Sequence, residues 1–296
     1  MKKVMLIINP KSGNETAPDL QPLVTDHLAK YFEEIETRVT SYAGQETVFA
    51  QEAAEKKFHA IMIVGGDGTI NRVMTGIVNY EQRPKLAIIP AGTGNLLAKV
   101  LGLPSNSRRA IQSYTFKKTK RIDLGMCNDR VFNLFASLGA IPDAIHDVSS
   151  EAKAKYGFLA YLVNSFGQLT KSQEVELKIT TDDCSYSGKV DHFLISLTNH
   201  LGIWRFTELN HNISNGKASV FILKDKSFLK RALTVTSAIS GKIENADALI
   251  SCISSEITID SLHEDKLYID LDGEKGPKLP VNIKILQKHN EFYLPD

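Results

Sequence analysis

The chain has few of the residues that signal special chemistry. It has three cysteines in 296 residues, Cys127, Cys184 and Cys252. They are too widely spaced for a zinc knuckle or a disulfide framework, which points to a reducing, cytoplasmic setting. The histidines His146, His192, His200 and His211 show no ligand spacing. Lysine and arginine total 35 against 34 acidic residues, a formal net charge of +1. The basic excess of a nucleic-acid binder is therefore missing. No apolar run approaches the length of a membrane span. The opening stretch, Met1 to Pro10, has two lysines but too short an apolar run for a secretory leader, and no small-residue cleavage site follows. It reads as a first strand. Repeats and low-complexity tracts are absent. These absences leave a soluble globular chain, long enough for two domains.

What is present is glycine in two concentrated places. The apolar run Ile61 to Val64 ends in Gly65-Gly66-Asp67-Gly68-Thr69-Ile70-Asn71. A helical pattern follows at once, so the stretch reads as strand, tight turn and helix N-terminus. Gly65, Gly66 and Gly68 allow a sharp bend and close approach to a ligand, with either a phosphate or a positive φ expected at Gly66. The opening helix amides favour an anion. Asp67 adds a carboxylate beside that anion, which fits a Mg²⁺ between the two. A second unit follows: Leu86 to Ile89, then Pro90-Ala91-Gly92-Thr93-Gly94-Asn95, then a helical run from Leu96. One such turn can be a plain βα connection. Two in succession place two phosphate-type loops at one edge of a parallel sheet.

On these strings the chain resembles the catalytic domain shared by soluble diacylglycerol kinases, sphingosine kinases and bacterial lipid kinases. Supporting segments are Asn9-Pro10-Lys11-Ser12-Gly13, Asp123-Leu124-Gly125, Ser137-Leu138-Gly139, Gly157 to Tyr161 and Asp272-Gly273-Glu274. NAD kinases carry a related GGDGT but usually lack the second string. The resemblance implies an ATP- and Mg²⁺-dependent kinase acting on a lipid hydroxyl at the membrane surface. Diacylglycerol leads as acceptor. A sphingoid base, a headgroup hydroxyl or a prenol remains open, as does a catalytically weak lipid-binding or regulatory homologue.

Along the chain, strands Lys3–Asn9, Ile35–Thr40, Ile61–Val64 and Leu86–Ile89 alternate with helical patterns over 17–32, 45–57, 69–79, 95–101 and 105–114. That order predicts an α/β N-terminal domain with a parallel sheet. After Lys120 the pattern turns to strands. Arg121–Cys127 and Arg130–Ser137 flank an Asn128-Asp129 turn, and 174–179, 267–272 and 281–285 alternate strictly, as in an antiparallel sandwich. Helices are expected over 152–169 and 227–242. The domains are expected at 1–122 and 123–288, with the end, about 289–296, returning to the first, as the resemblance implies.

The family resembled lacks the lysine of a GxxxxGK[ST] motif, and none is present here, so backbone amides and metal must carry more of the load of holding phosphates, with Thr69, Thr93 and Ser12 as hydroxyl donors. The nucleotide-side residues expected from the loops and the resemblance are Asn9, Pro10, Lys11, Ser12, Gly13, Thr40, Gly65, Gly66, Asp67, Gly68, Thr69, Asn71, Gly92, Thr93, Gly94 and Asn95, with Asp67 also the metal ligand. Asp272-Gly273-Glu274 reads on its own as a hairpin corner. The resemblance carries the general base onto Glu274, with Asp272 and Asp67 near the reacting centre. Two departures stand out. Arg72 occupies a position where the family usually has an acid. His211 to Gly216 matches a segment in which related enzymes hold a structural Mg²⁺ with two aspartates, but here both are asparagines, Asn212 and Asn215. Leu201 to Phe206, with the single tryptophan Trp204, reads either as a membrane-interface group or as sandwich core. Lys117, Lys118, Lys120, Arg121, Lys224, Lys226, Lys230 and Arg231 could attract anionic headgroups or form solvated faces.

Overall fold

The structure, a computed structural model, describes residues 2–12, 17–138, 175–201, 204–209, 212–224, 237, 240–247, 249–263 and 267–296. The helices expected over 152–169 and 227–242 lie outside or almost wholly outside these residues. The chain forms two compact units, Met1–Ile122 with Lys288–Asp296, and Asp123–Gln287.

The first unit alternates strand and helix: β1 (Lys3–Ile8), α1 (Gln21–Leu28), β2 (Glu34–Val39), α2 (Gln45–Glu55), β3 (Ala60–Gly65), α3 (Asp67–Ile77), β4 (Lys85–Pro90), α4 (Leu96–Val100) and α5 (Ser107–Gln112). The strands pair in parallel in the order β2-β1-β3-β4. β3 is buried along its whole length, as its uninterrupted apolar run requires in a sheet covered on both faces. α3 buries Ile70, Val73, Met74 and Ile77 on one side, each contributing roughly 1.5–3 kcal/mol. Gly76 completes that face. A Cβ there would fall 2.4 Å from the Thr47 carbonyl oxygen, so α2 and α3 cross at a distance only glycine permits. The expected 17–32 helix is shorter. A single 3₁₀ turn, Pro18–Leu20, precedes α1.

The second unit contains β5 (Thr119–Cys127), which begins in the first unit, β6 (Arg130–Phe132), β7 (Phe135–Leu138), β8 (Val175–Thr181), β9 (Ser185–Val190), β10 (His192–Ser196), β11 (His200–Leu201), β12 (Trp204–Arg205), β13 (Ala218–Leu223), β14 (Leu249–Ser254), β15 (Glu256–Ser261), β16 (Tyr268–Leu271), β17 (Glu274–Lys278) and the start of β18 (Val281–Tyr293). One layer pairs β18, β15, β8 and β9; the other runs β14-β13-β10-β7-β16-β17. Their inward residues, among them Phe132, Leu177, Ile195, Val220, Ile259 and Ile283, form one core. This is the antiparallel sandwich that strict alternation predicts.

Two strands differ from the sequence reading. The run 130–137 divides into β6 and β7 at Asn133-Leu134, whose amides bond to a distant carboxylate described below. β18 extends to Tyr293, and its last residues belong to the first unit, where Phe292 pairs in parallel with Leu86. There Tyr293 and Tyr114 lie 5.1 and 5.5 Å, centroid to centroid, from the Phe116 ring. His289 Nε2 bonds to the Val78 carbonyl at 2.9 Å.

Candidate active site

The two glycine loops lie side by side at the ends of β3 and β4. The Ala91 amide donates to the Gly65 carbonyl at 3.0 Å. A Cβ on Gly66 would stand 3.0 Å from Gly92 Cα, and one on Gly92 would stand 2.5 Å from Gly66 Cα. Backbone therefore packs on backbone, and this explains the glycines. Of the two alternatives expected at Gly66, the positive φ is not found. Its φ is −98° and its conformation extended, so its constraint is the neighbouring loop rather than handedness. Gly65 is held to glycine by Thr69, whose side chain a Cβ would meet at 2.6 Å.

The left-handed residue is Asn95, with φ 49° and ψ 44°, a conformation asparagine tolerates better than most residues. Its amide clasps the loop. Oδ1 accepts from the Gly92 N–H at 2.9 Å, and Nδ2 donates to the Gly92 carbonyl at 2.7 Å. Asp67 joins the two loops. Its Oδ1 accepts the Leu97 N–H at 3.2 Å, while a Cβ on Gly94 would lie 3.0 Å from its Oδ2. Burial holds the Asp67 carboxyl above its usual range, against the opposing pull of the Leu96 and Leu97 amides.

The Asn9 loop closes on the same place. Asn9 Nδ2 donates to Thr69 Oγ1 at 2.9 Å, and Ser12 Oγ lies 3.5 Å from the same oxygen. Asn9 Oδ1 accepts the Lys11 N–H at 3.0 Å, the local turn that Asn-Pro sequences favour. Thr69 and Ser12 are buried, Lys11 and Thr93 exposed, and Asn71 half-buried. Gly13 lies outside the described residues. Thr40 is buried, and its N–H donates to the Ile8 carbonyl, beside Asn9 in the chain. The residue that sequence reasoning missed is Glu46. It is 1% exposed, accepts from Asn9 Nδ2 at 3.2 Å and from the Gly44 N–H at 3.0 Å, and fixes which way the Asn9 amide faces. Its signal was available: Glu46, Ala50, Ala53 and Ala54 share the buried side of α2.

In the second unit, Asp272-Gly273 forms a two-residue hairpin turn between β16 and β17, with φ of 53° and 89°. Two left-handed residues are what a type I′ turn demands, and Asp-Gly supplies them. The Asp272 side chain points back into its own fold. Oδ1 accepts the Leu134 and Phe135 amides at 3.0 and 2.9 Å, and Oδ2 accepts the Asn133 amide. Three amides on one carboxylate make Asp272 the residue that shapes the β6–β7 corner. Glu274 opens β17 opposite Leu271 and is half-buried.

At 212–216, the segment where the resemblance implies a structural Mg²⁺, Asn212 Oδ1 accepts the Ser214 N–H at 2.9 Å. The buried Asp123 carboxylate accepts the Gly216 N–H at 2.7 Å. Asn215 Oδ1 is buried with no hydrogen-bond partner among the described residues. One carboxylate and one unengaged neutral amide oxygen are a poor cage for a divalent cation. His211 lies outside the described residues. In the Leu201–Phe206 stretch, Phe206 is fully buried, so it cannot serve a membrane interface. Among the described residues no helix is long and apolar enough to cross a membrane.

This paired-loop α/β unit with its β-sandwich companion belongs to a defined class of kinases. The family model for the diacylglycerol kinase catalytic domain matches residues 3–127. A Streptococcus pneumoniae protein named "Putative lipid kinase" is 37% identical over 99% of this chain and 98% of its own length. The Bacillus subtilis diacylglycerol kinase is 30% identical over 100% of this chain and 97% of its own. A crystal structure of a diacylglycerol kinase from Bacillus anthracis strain Sterne matches with a TM-score of 0.81 and 27% identity, over 99% of this chain and 97% of that one. The chain belongs to the diacylglycerol kinase family of bacterial lipid kinases and is a lipid kinase.

Proposed function

We propose that this lipid kinase transfers the γ-phosphoryl of ATP to the free hydroxyl of diacylglycerol, giving phosphatidic acid, with Mg²⁺ required. The observation that carries the reading is the close packing of Gly66 on Gly92, which sets two amide-rich turns side by side at the sheet edge. The first amides of α3 have no partner within the helix and suit phosphate oxygens. Asn95 and the Asn9–Thr69 bond hold these turns in shape before nucleotide arrives, so little ordering is left for the reaction. Asp67, a half-buried carboxylate whose charge its surroundings disfavour, fits a cation and is the residue that would hold Mg²⁺. Bound there, the ion would offset phosphate charge during transfer.

Glu274 is the proposed general base. It takes the proton of the acceptor hydroxyl as the new P–O bond forms. The lipid meets the enzyme at a bilayer surface, and diacylglycerol is favoured by the names of the relatives. The test is direct. The purified chain is incubated with γ-labelled ATP, Mg²⁺ and diacylglycerol in mixed micelles, and the lipid product is identified by mass. Labelled phosphatidic acid is expected. Label appearing on another lipid of a mixed extract, with none on diacylglycerol, would overturn the acceptor assignment.

A further inference from the structure

Cys184 and Cys252 are 68 residues apart in sequence, yet their sulfurs lie 3.4 Å apart. Cys184 sits in the β8–β9 turn and Cys252 on β14, so the two thiols come from opposite layers of the sandwich. The surroundings hold them there. Thr181 Oγ1 accepts the Cys184 N–H at 3.0 Å and lies 3.7 Å from Cys252 Sγ. The Asp182 N–H donates to Ser254 Oγ at 3.0 Å, and Asp182 Oδ2 accepts the amide and hydroxyl of Ser255, both at 2.7 Å. The turn carrying Cys184 is thus bonded to the corner just beyond Cys252. Both cysteines are half-exposed, whereas Cys127 is buried.

We infer that Cys184 and Cys252 form an oxidant-responsive dithiol, which closes to a disulfide when a hydroperoxide reaches it. Closure needs the sulfurs to move from 3.4 Å to about 2 Å. Cys184 lies in a turn between the exposed Asp183 and Ser185, so peroxide meets it first, while burial, then the bond to Cys184, push the Cys252 thiol up. The Cys184 thiolate attacks one peroxide oxygen and breaks the O–O bond. This gives a sulfenic acid and, with hydrogen peroxide, a hydroxide that takes up a proton as water. Cys252 sulfur then attacks the sulfenic sulfur, the S–O bond breaks, and the departing hydroxide takes the Cys252 proton. Two thiols lose two electrons, the peroxide gains them, and two waters leave. The product links the two layers of the sandwich across a 68-residue separation, which restricts the unfolded chain.

The experiment treats the full chain with a small excess of hydrogen peroxide and follows intact mass, peptide maps and denatured thiol count. A loss of about 2 Da is expected, with a Cys184–Cys252 peptide, two of three thiols gone, a higher melting temperature, and full reversal by dithiothreitol. Cys184→Ser and Cys252→Ser, each removing one sulfur, should fold and form no crosslink; Cys252→Ser should take up oxygen at Cys184 instead of losing hydrogen, and Cys184→Ser should take up little. Oxygen adducts on wild type without the crosslinked peptide would overturn the inference. So would a crosslink that uses Cys127.

Discussion

Arg72 Nη1 lies 3.8 Å from Glu46 Oε1, a carboxylate almost sealed from solvent. The arginine that departs from the family pattern therefore faces the acid that orients Asn9, and through Asn9 the Thr69 hydroxyl. Its charge has an evident place, which weakens the case for Arg72 as a sign of lost activity. Removing it with Arg72→Ala leaves Glu46 its two hydrogen bonds but less compensating charge. The expected loss is about 1–3 kcal/mol of stability, below the cost of breaking a fully buried pair because Arg72 is itself partly solvated. Arg72→Glu should cost more, through like-charge repulsion. Chemical denaturation of both variants checks the order, and an equally stable Arg72→Glu would contradict it.

The packing of the loops predicts an order of severity. Gly92→Ala drives a Cβ to 2.5 Å from Gly66 Cα, whereas Gly66→Ala brings one to 3.0 Å from Gly92 Cα. Backbone must move in both, further in the first. ATP affinity by calorimetry should fall in both folded variants, by about tenfold or more for Gly92→Ala, roughly the 1.4 kcal/mol that a small backbone displacement at a phosphate site would cost. Unchanged affinity in Gly92→Ala would remove the loops from the nucleotide site.

His289 gives the fold a pH dependence. Burial, then the charge of Arg83, hold its imidazole below the ordinary 6.5, although its bond to the Val78 carbonyl opposes that shift. The unfolded chain therefore takes the proton first as pH falls. The stability that follows from the shift is full above about pH 6.5 and is lost progressively as pH drops from there to the folded value. Melting temperatures between about pH 5 and pH 8 should show a smaller acid slope in His289→Gln than in wild type. Equal slopes would assign the acid sensitivity to other groups.

The asparagines of the 211–216 segment predict indifference to chelation. With Asn212 Oδ1 bonded to the Ser214 amide, EDTA should barely alter the melting temperature of the nucleotide-free protein, while activity should fall through the Mg²⁺ that accompanies ATP. A large drop in melting temperature, reversed by Mg²⁺, would show a bound structural ion.

How much of this was legible in the sequence depended on how local each cause was. The βα units of the first domain are punctuated by their own apolar runs and glycines, and they fall within a few residues of the expected bounds. The break between β6 and β7 was not legible, because the carboxylate that causes it, Asp272, is 139 residues from Asn133. The end of β18 was hidden by its polar run Gln287-Lys288-His289-Asn290, which no longer alternates strictly. Gly66 was recognised, but one reason offered for it, a positive φ, does not hold. Its partner is another loop, and a sequence does not show that two turns touch. The pairing of Cys184 with Cys252 has the same character, since only the sandwich brings the two strands together.

Glu274 is where the proposed chemistry is most exposed to test. The hairpin turn before it is fixed by Asp272 and Gly273, so Glu274→Gln keeps both backbone and shape while removing the proton acceptor. If Glu274 is the base, the single-turnover rate of lipid phosphorylation should fall by roughly two to four decades, with ATP affinity nearly unchanged because the glycine loops, the proposed phosphate site, are untouched. If it instead helps hold Mg²⁺, ATP binding should weaken with the rate, and added Mg²⁺ should recover part of the loss. Asp272→Asn serves as the contrast. Its carboxylate accepts three amides of the β6–β7 corner, so that variant should lose stability, about 1–3 kcal/mol, before it loses chemistry. A Glu274→Gln enzyme with a near wild-type rate would end the assignment, and Asp272→Asn with wild-type stability would end the separation of roles.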